Sequence, residues 1–146
     1  MNLYTIGFTK KTAAQFFELL IRNNVKRLID IRLNNKSQLA GFAKGEDLSY
    51  LLPKIGNIEY VYKPEYAPTK ELLDRYRDKQ IDWIGYEREY IQILKERDIL
   101  KNIDWALFDG ACLLCSEETA DACHRRLLAE YLAAANRDIV IKHLER

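Results

Sequence analysis

Between Cys115 and Arg126 the chain gathers two thiols, three carboxylates, an imidazole and two guanidinium groups: Cys115-Ser116-Glu117-Glu118-Thr119-Ala120-Asp121-Ala122-Cys123-His124-Arg125-Arg126. A thiol beside cationic side chains, or at the positive end of a helix, ionises more readily and becomes a nucleophile. An imidazole supplies a general acid or base. An arginine grips a phosphate or carboxylate through two parallel hydrogen bonds. Cys115, Glu117, Cys123 and His124 are therefore the candidate catalytic residues, and Arg125 is a candidate for binding an anionic group.

The same residue types ligate metals, but their spacing lacks the paired C-x-x-C or H-x-x-x-H ligands of zinc ribbons and fingers. Cys112-Leu113-Leu114-Cys115 matches C-x-x-C in form, yet on a strand those two side chains point to opposite faces and cannot chelate together. Cys112, inside an apolar run, reads as core. No structural metal and no cofactor are expected, while a catalytic metal stays open. Adjacent residues on a helix are rotated by about 100°, so Cys123 and His124 are not expected to face one ligand together.

The elements that would position these groups follow from hydrophobic periodicity. Leu3–Ile6 is a short apolar strand ending at Gly7, and Thr12 with Gln15 forms a capping box for a helix carrying Phe16, Phe17, Leu20 and Ile21. Val25–Ile31 is a second strand, so the opening is a βαβ unit with a parallel pair. Residues 34–45, rich in Asn, Ser, Lys and Gly, read as a long loop. A short helix over about 47–52 should stop at Pro53. Ile58–Tyr62 is a third strand, and Pro64 and Pro68 mark an extended connection. Trp83, Tyr86, Tyr90, Ile93 and Leu94 share one face of a helix over 82–97 and read as core. Ala111–Cys115 is a fourth strand. His124, Leu127, Leu128, Tyr131, Leu132 and Ala135 form an amphipathic stripe on a following helix, and Asp138–Ile141 is a last strand.

Alternating strands and helices predict an α/β fold: a mostly parallel sheet with helices on both faces, three-layered and Rossmann-like. One domain is expected over 1–146. In such sheets ligands bind outside the carboxyl ends of the strands. Asp30 and Arg32, at the end of the second strand, join the site on that ground, and their alternation about Ile31 also allows an ion pair on one face.

Bulk composition narrows the partners. Lys and Arg number 23 against 22 Asp and Glu, so the formal charge is +1 and no overall basic field points to nucleic acid. Three cysteines without a secretory leader argue against a disulfide framework and for the reducing cytoplasm. No stretch approaches the roughly 20 apolar residues of a membrane span, so no membrane association is expected. Oligomeric state is not legible.

On these landmarks the chain resembles the domain-of-unknown-function 488 family of small bacterial and archaeal proteins. The matching pieces are Tyr4-Thr5-Ile6-Gly7, Asp30-Ile31-Arg32, Ser37 and Phe42 in the loop, Cys115-x-Glu117, Cys123-His124-Arg125, and a terminal strand ending near His143. The resemblance implies an α/β fold with a pocket at the strand ends, to which Ser37 adds a binding residue, and it implies no particular reaction. The family usually continues Ile-Gly with His and Ser, where this chain has Phe8 and Thr9, so any acid–base role of that histidine is missing here.

Three functions are consistent with these residues. The first is an enzyme-like pocket acting on an anionic, phosphate-bearing substrate, with a cysteine nucleophile, His124 as acid or base, and Asp30, Arg32, Ser37 and Arg125 binding or orienting. The second is a non-catalytic module for a nucleotide or nucleic acid, using basic and aromatic residues of 32–44 and 63–76. The third is a buried polar network that only fixes the fold.

Overall fold

The computed structural model describes residues 1–36, 41–116, 120 and 123–145. Five parallel strands form one sheet: β1 (Asn2–Gly7), β2 (Arg27–Asp30), β3 (Glu59–Tyr62), β4 (Ala111–Cys115) and β5 (Val140–Leu144), in the order β3-β2-β4-β1-β5. The expected α/β fold is present. The first two strands are parallel but not neighbours, because β4 lies between them. Nothing in the local pattern of the opening βαβ unit could announce a strand inserted some eighty residues later.

Side-chain alternation divides the sheet into two faces. Leu3, Ile29, Ile31, Leu113 and Cys115 pack toward α3 (Lys70–Arg77), α4 (Trp83–Glu96) and α5 (His124–Ala135). Tyr4, Ile6, Leu28, Cys112 and Leu114 pack toward α1 (Ala13–Arg22) and α2 (Gly45–Gly56). The period-2 rule thus sends Cys112 and Cys115 to opposite layers, as expected.

Local signals explain most of the boundaries. Thr12 and Gln15 form the reciprocal capping box of α1. Asp82 caps α4 by accepting from the Gly85 backbone N–H. Pro53, however, does not stop α2, which continues to Gly56. Pro53 is exposed to solvent, and the helix closes at Asn57, left-handed at φ 54°. In place of the extended connection after Pro68 there is α3, capped by the Thr69 side chain on Leu72 N. The last strand begins two residues later than predicted and runs to Leu144. No helix among the described residues is long and apolar enough to cross a membrane.

Candidate active site at the end of the central strand

β4 is the central strand, and its carboxyl end is held by both neighbours. Gly7 of β1 lies opposite Cys115. Beyond the ladders, Thr9 N donates to Ser116 O at 3.0 Å and Ile31 N to Leu114 O at 3.1 Å. The exits of β1, β2 and β4 therefore form one rigid rim, and the segments leaving it carry most of the reactive side chains.

Cys115 closes β4, and Cys123 sits just before α5 with extended backbone (φ −141°, ψ 141°) as its N-terminal cap. Because Cys123 precedes the helix, the helical rotation expected between it and His124 does not apply. Donor atoms of Cys115, Cys123 and His124 all lie within 4.8 Å of one another. This corrects the expectation that Cys123 and His124 cannot share a ligand. The two sulfurs are joined as a disulfide across Cα atoms 7.4 Å apart. The case against a disulfide framework did not anticipate this local bridge, which closes a short loop within the site. Cys112 is fully buried on the other face, and burial pushes its thiol pKa far up, out of reach of ordinary ionisation.

His124 is fixed from outside the cluster. Its Nε2 lies 2.8 Å from the Ile31 carbonyl oxygen. A carbonyl only accepts, so Nε2 carries the proton, and the neutral ring keeps its lone pair on Nδ1. Burial pushes the imidazole pKa down to about 4; the Arg125 charge adds to the fall, and the bond to Ile31 opposes it. The ring is neutral at pH 7, so it offers a lone pair and not the acidic proton that the sequence reading allowed.

Arg125 lies fully buried beneath Cys115. Its Nη1 donates to the Cys115 sulfur at 3.3 Å and its Nε to Thr5 Oγ1 at 3.2 Å. Thr5 Oγ1 is also 2.6 Å from His143 Nδ1. Arg125 was expected to bind substrate directly. It is instead off the cavity wall, where its charge falls on the sulfur.

On the opposite face, Asp30 and Arg32 form the ion pair their alternation allowed. Arg32 Nε and Nη2 meet the two Asp30 oxygens at 2.9 and 2.8 Å, and Nη2 also donates to Ala43 O at 2.7 Å. Tyr60 donates to Asp30 at 2.6 Å and takes a bond from Asn35 Nδ2 at 3.1 Å. The guanidinium lies over the Phe8 ring, 5.4 Å from its centroid, so the residue that departs from the family pattern packs against the arginine. Arg32 is 4% exposed, and its Nη1 is buried with no hydrogen-bond partner among the described residues. Asp30 is fully buried and does not reach the cavity; it positions Arg32.

Arg32, Cys115, Ser116, Cys123 and His124 line one cavity of about 540 Å³, which α3 and α4 also line. These helices add Lys70, Asp74, Arg77 and the ring cluster Tyr76, Trp83 and Tyr86. Trp83 stacks on Tyr86 at 5.0 Å, with Tyr76 at 4.9 Å from Tyr86. Tyr90 is core, as expected, but Trp83 and Tyr86 also present ring surface to the cavity. The sequence reading missed Lys70, Arg77 and Tyr60. The signal for the first two was Thr69 directly after Pro68, a helix start with Leu72, Leu73 and Tyr76 on one stripe. Tyr60 gave no local signal, because its partner lies thirty residues away. The predicted site residues Ser37 and Glu117 lie outside the described residues.

A family model described as "Domain of unknown function DUF488" matches residues 12–132. No curated protein and no solved structure matches the chain.

Proposed function

Because the chain belongs to the DUF488 family, whose description names no reaction, we propose its function from the geometry: an enzyme pocket that binds an anionic, phosphate-bearing small molecule and attacks it with the Cys115 thiolate. The observation that carries this reading is the incomplete Arg32. A buried N–H without a partner costs about 1–3 kcal/mol, and Arg32 Nη1 has none among the described residues, although Arg32 lines the cavity that Cys115 and Cys123 also line. An anionic oxygen supplied by a ligand would complete it. Lys70 and Arg77, both tied to Asp74, lend further positive charge to the outer wall.

In this reading Asp30 holds the Arg32 fork and Arg32 anchors the anion. Arg125 favours the charged form of Cys115 through its N–H···S contact. The thiol proton leaves to solvent. The sulfur lone pair then forms the bond to the electrophilic atom, and the leaving group departs with its bonding pair. The chemistry needs Cys115 and Cys123 reduced, which fits the cytoplasm as the working compartment. A small molecule suits the bounded cavity and the near-zero net charge better than a nucleic acid does.

Alkylation with iodoacetamide near neutral pH tests the reading on fully reduced protein, with each cysteine followed by peptide mass. Cys115 or Cys123 should react and Cys112 should not; inorganic phosphate should slow the reaction, and Arg32→Gln should remove that protection. Three equally inert thiols, or indifference to phosphate, would overturn it.

A further inference from the structure

The three donors at the cavity floor also satisfy a different chemistry. We propose that Cys115, Cys123 and His124, once reduced, form a binding site for a soft divalent cation of the zinc class, and that the ion masks the thiols while it is bound. The second half rests on the nucleophile reading above; the binding itself rests on geometry alone.

The three donors stand close enough together to share one ion once the sulfurs separate. Tetrahedral zinc with Zn–S near 2.3 Å and Zn–N near 2.0–2.1 Å holds its ligand atoms roughly 3.5–3.8 Å apart, and the three donors here lie within 4.8 Å of one another. The sulfurs must part from bonding distance to admit the ion. Their backbones already stand where that separation needs them: the Cα atoms are 7.4 Å apart, beyond the 4.4–6.8 Å typical of a disulfide. Two sulfurs and one imidazole select zinc, cadmium or copper(I) over magnesium or calcium, which want oxygen.

The outer shell is in place independently of the donors. A metal-binding histidine normally gives its second ring N–H to a carbonyl or carboxylate, which fixes the ring and frees the other nitrogen. His124 does this through Nε2 to Ile31 O at 2.8 Å, leaving Nδ1 for the ion. Arg125, 3.3 Å from the Cys115 sulfur, offsets the charge of the two thiolates. All three residues line the cavity, which leaves room beside them for a fourth ligand. Three protein ligands and one open position are the arrangement of a reactive or exchangeable centre, not of a closed structural one. Ligand spacing argues only against a structural zinc, and placing Cys123 inside the helix hid its approach to His124.

An ion so placed occupies the lone pair that alkylation requires, so metal loading and thiol reactivity exclude each other. The test uses the full chain, reduced and treated with chelator under anaerobic conditions. Zinc titrated against a chromophoric competitor should bind at one ion per chain. Cobalt(II) in its place should give the sulfur-to-metal charge-transfer band and the intense visible bands of a tetrahedral thiolate site. Cys112→Ser should change neither. Cys123→Ser and His124→Asn should each weaken binding by at least about tenfold, with far-ultraviolet circular dichroism confirming that each variant is folded. Zinc should block alkylation of Cys115 and Cys123, and chelator should restore it. No stoichiometric binding, or a cobalt spectrum unchanged in Cys123→Ser, would overturn the proposal. Zinc binding by a protein whose metal-free thiols are inert would keep the metal site and discard the nucleophile; alkylation without zinc binding would do the reverse.

Discussion

Two buried arginines stand on opposite faces of one sheet, close to the same cavity, and they are held in opposite ways. Arg32 is gripped at both ends of its fork by Asp30, two residues back on the same strand, with the Ala43 carbonyl alongside. Arg125, at the start of α5, reaches a hydroxyl on β1 and a sulfur at the end of β4. The first charge is largely neutralised by its neighbour, and its Nη1 has no partner among the described residues. The second bears on a polarisable thiol. Burial and residue type are the same, yet one arginine suits anchoring a ligand and the other suits tuning a nucleophile.

Removing the carboxylate is the strongest way to break this comparison. Asp30→Ala leaves the Arg32 guanidinium buried without its counter-charge, and breaking a buried pair by deleting one partner costs about 3–5 kcal/mol. Urea unfolding should show that loss as a lower midpoint at unchanged slope. A cost below about 1 kcal/mol would mean that Arg32 is solvated or held by other groups, and the anchoring role assigned to it would lose its basis.

The next effect separates the two arginines by function. Arg125→Gln should slow alkylation of Cys115 by about tenfold, the loss expected if the thiol pKa rises by one unit. Arg32→Gln, without phosphate, should leave the rate within about twofold. Equal effects of the two variants would erase the distinction between tuning and anchoring.

A smaller effect belongs to the cavity wall. Thr69→Ala removes the side-chain N-cap of α3, which accepts from Leu72 N, at a cost of about 1 kcal/mol. The helix that carries Lys70, Tyr76 and Arg77 should fray. Amide exchange over its first turn should quicken while exchange in β4 stays slow.

The same contrast explains what the sequence could and could not show. Asp30 and Arg32 are separated by two residues on a strand, so their shared face was readable from alternation alone, and so was the split between Cys112 and Cys115. The stripe from His124 to Ala135 fixed α5 for the same reason. What escaped depends on contacts across long stretches of chain. Arg125 meets Thr5 across 120 residues and Tyr60 meets Asp30 across thirty, and neither pairing leaves a local trace. The insertion of β4 between β1 and β2 is a matter of long-range pairing. Two misreadings were local in origin. Pro68 and Pro53 were each given authority over a neighbouring helix, but Thr69 restarts the chain after the first, and the solvent-facing position of the second spares α2.

The smallest predicted effect tests whether the Arg125 side of the sheet is tuned as a unit. His143 Nδ1 lies 2.6 Å from the Thr5 hydroxyl, which accepts from Arg125, and the folded state lowers the pKa of the ring. Burial lowers the His143 pKa first, the Arg125 charge next, with Arg126 adding to the fall and Glu145 and Glu130 opposing it. A depressed folded-state pKa means that the unfolded chain binds the proton more readily. The contribution is therefore present above the ordinary histidine range and lost as pH falls through it, near 6.5. The ring is half-exposed, which keeps the effect small. In His143→Asn the side chain can still hydrogen-bond Thr5 as donor or acceptor, but it does not titrate. Between about pH 7.5 and 5.5 the wild-type Tm should fall more than that of His143→Asn. Parallel curves would mean that the Thr5 hydroxyl does not couple His143 to Arg125, leaving Arg125 to act on Cys115 without this support.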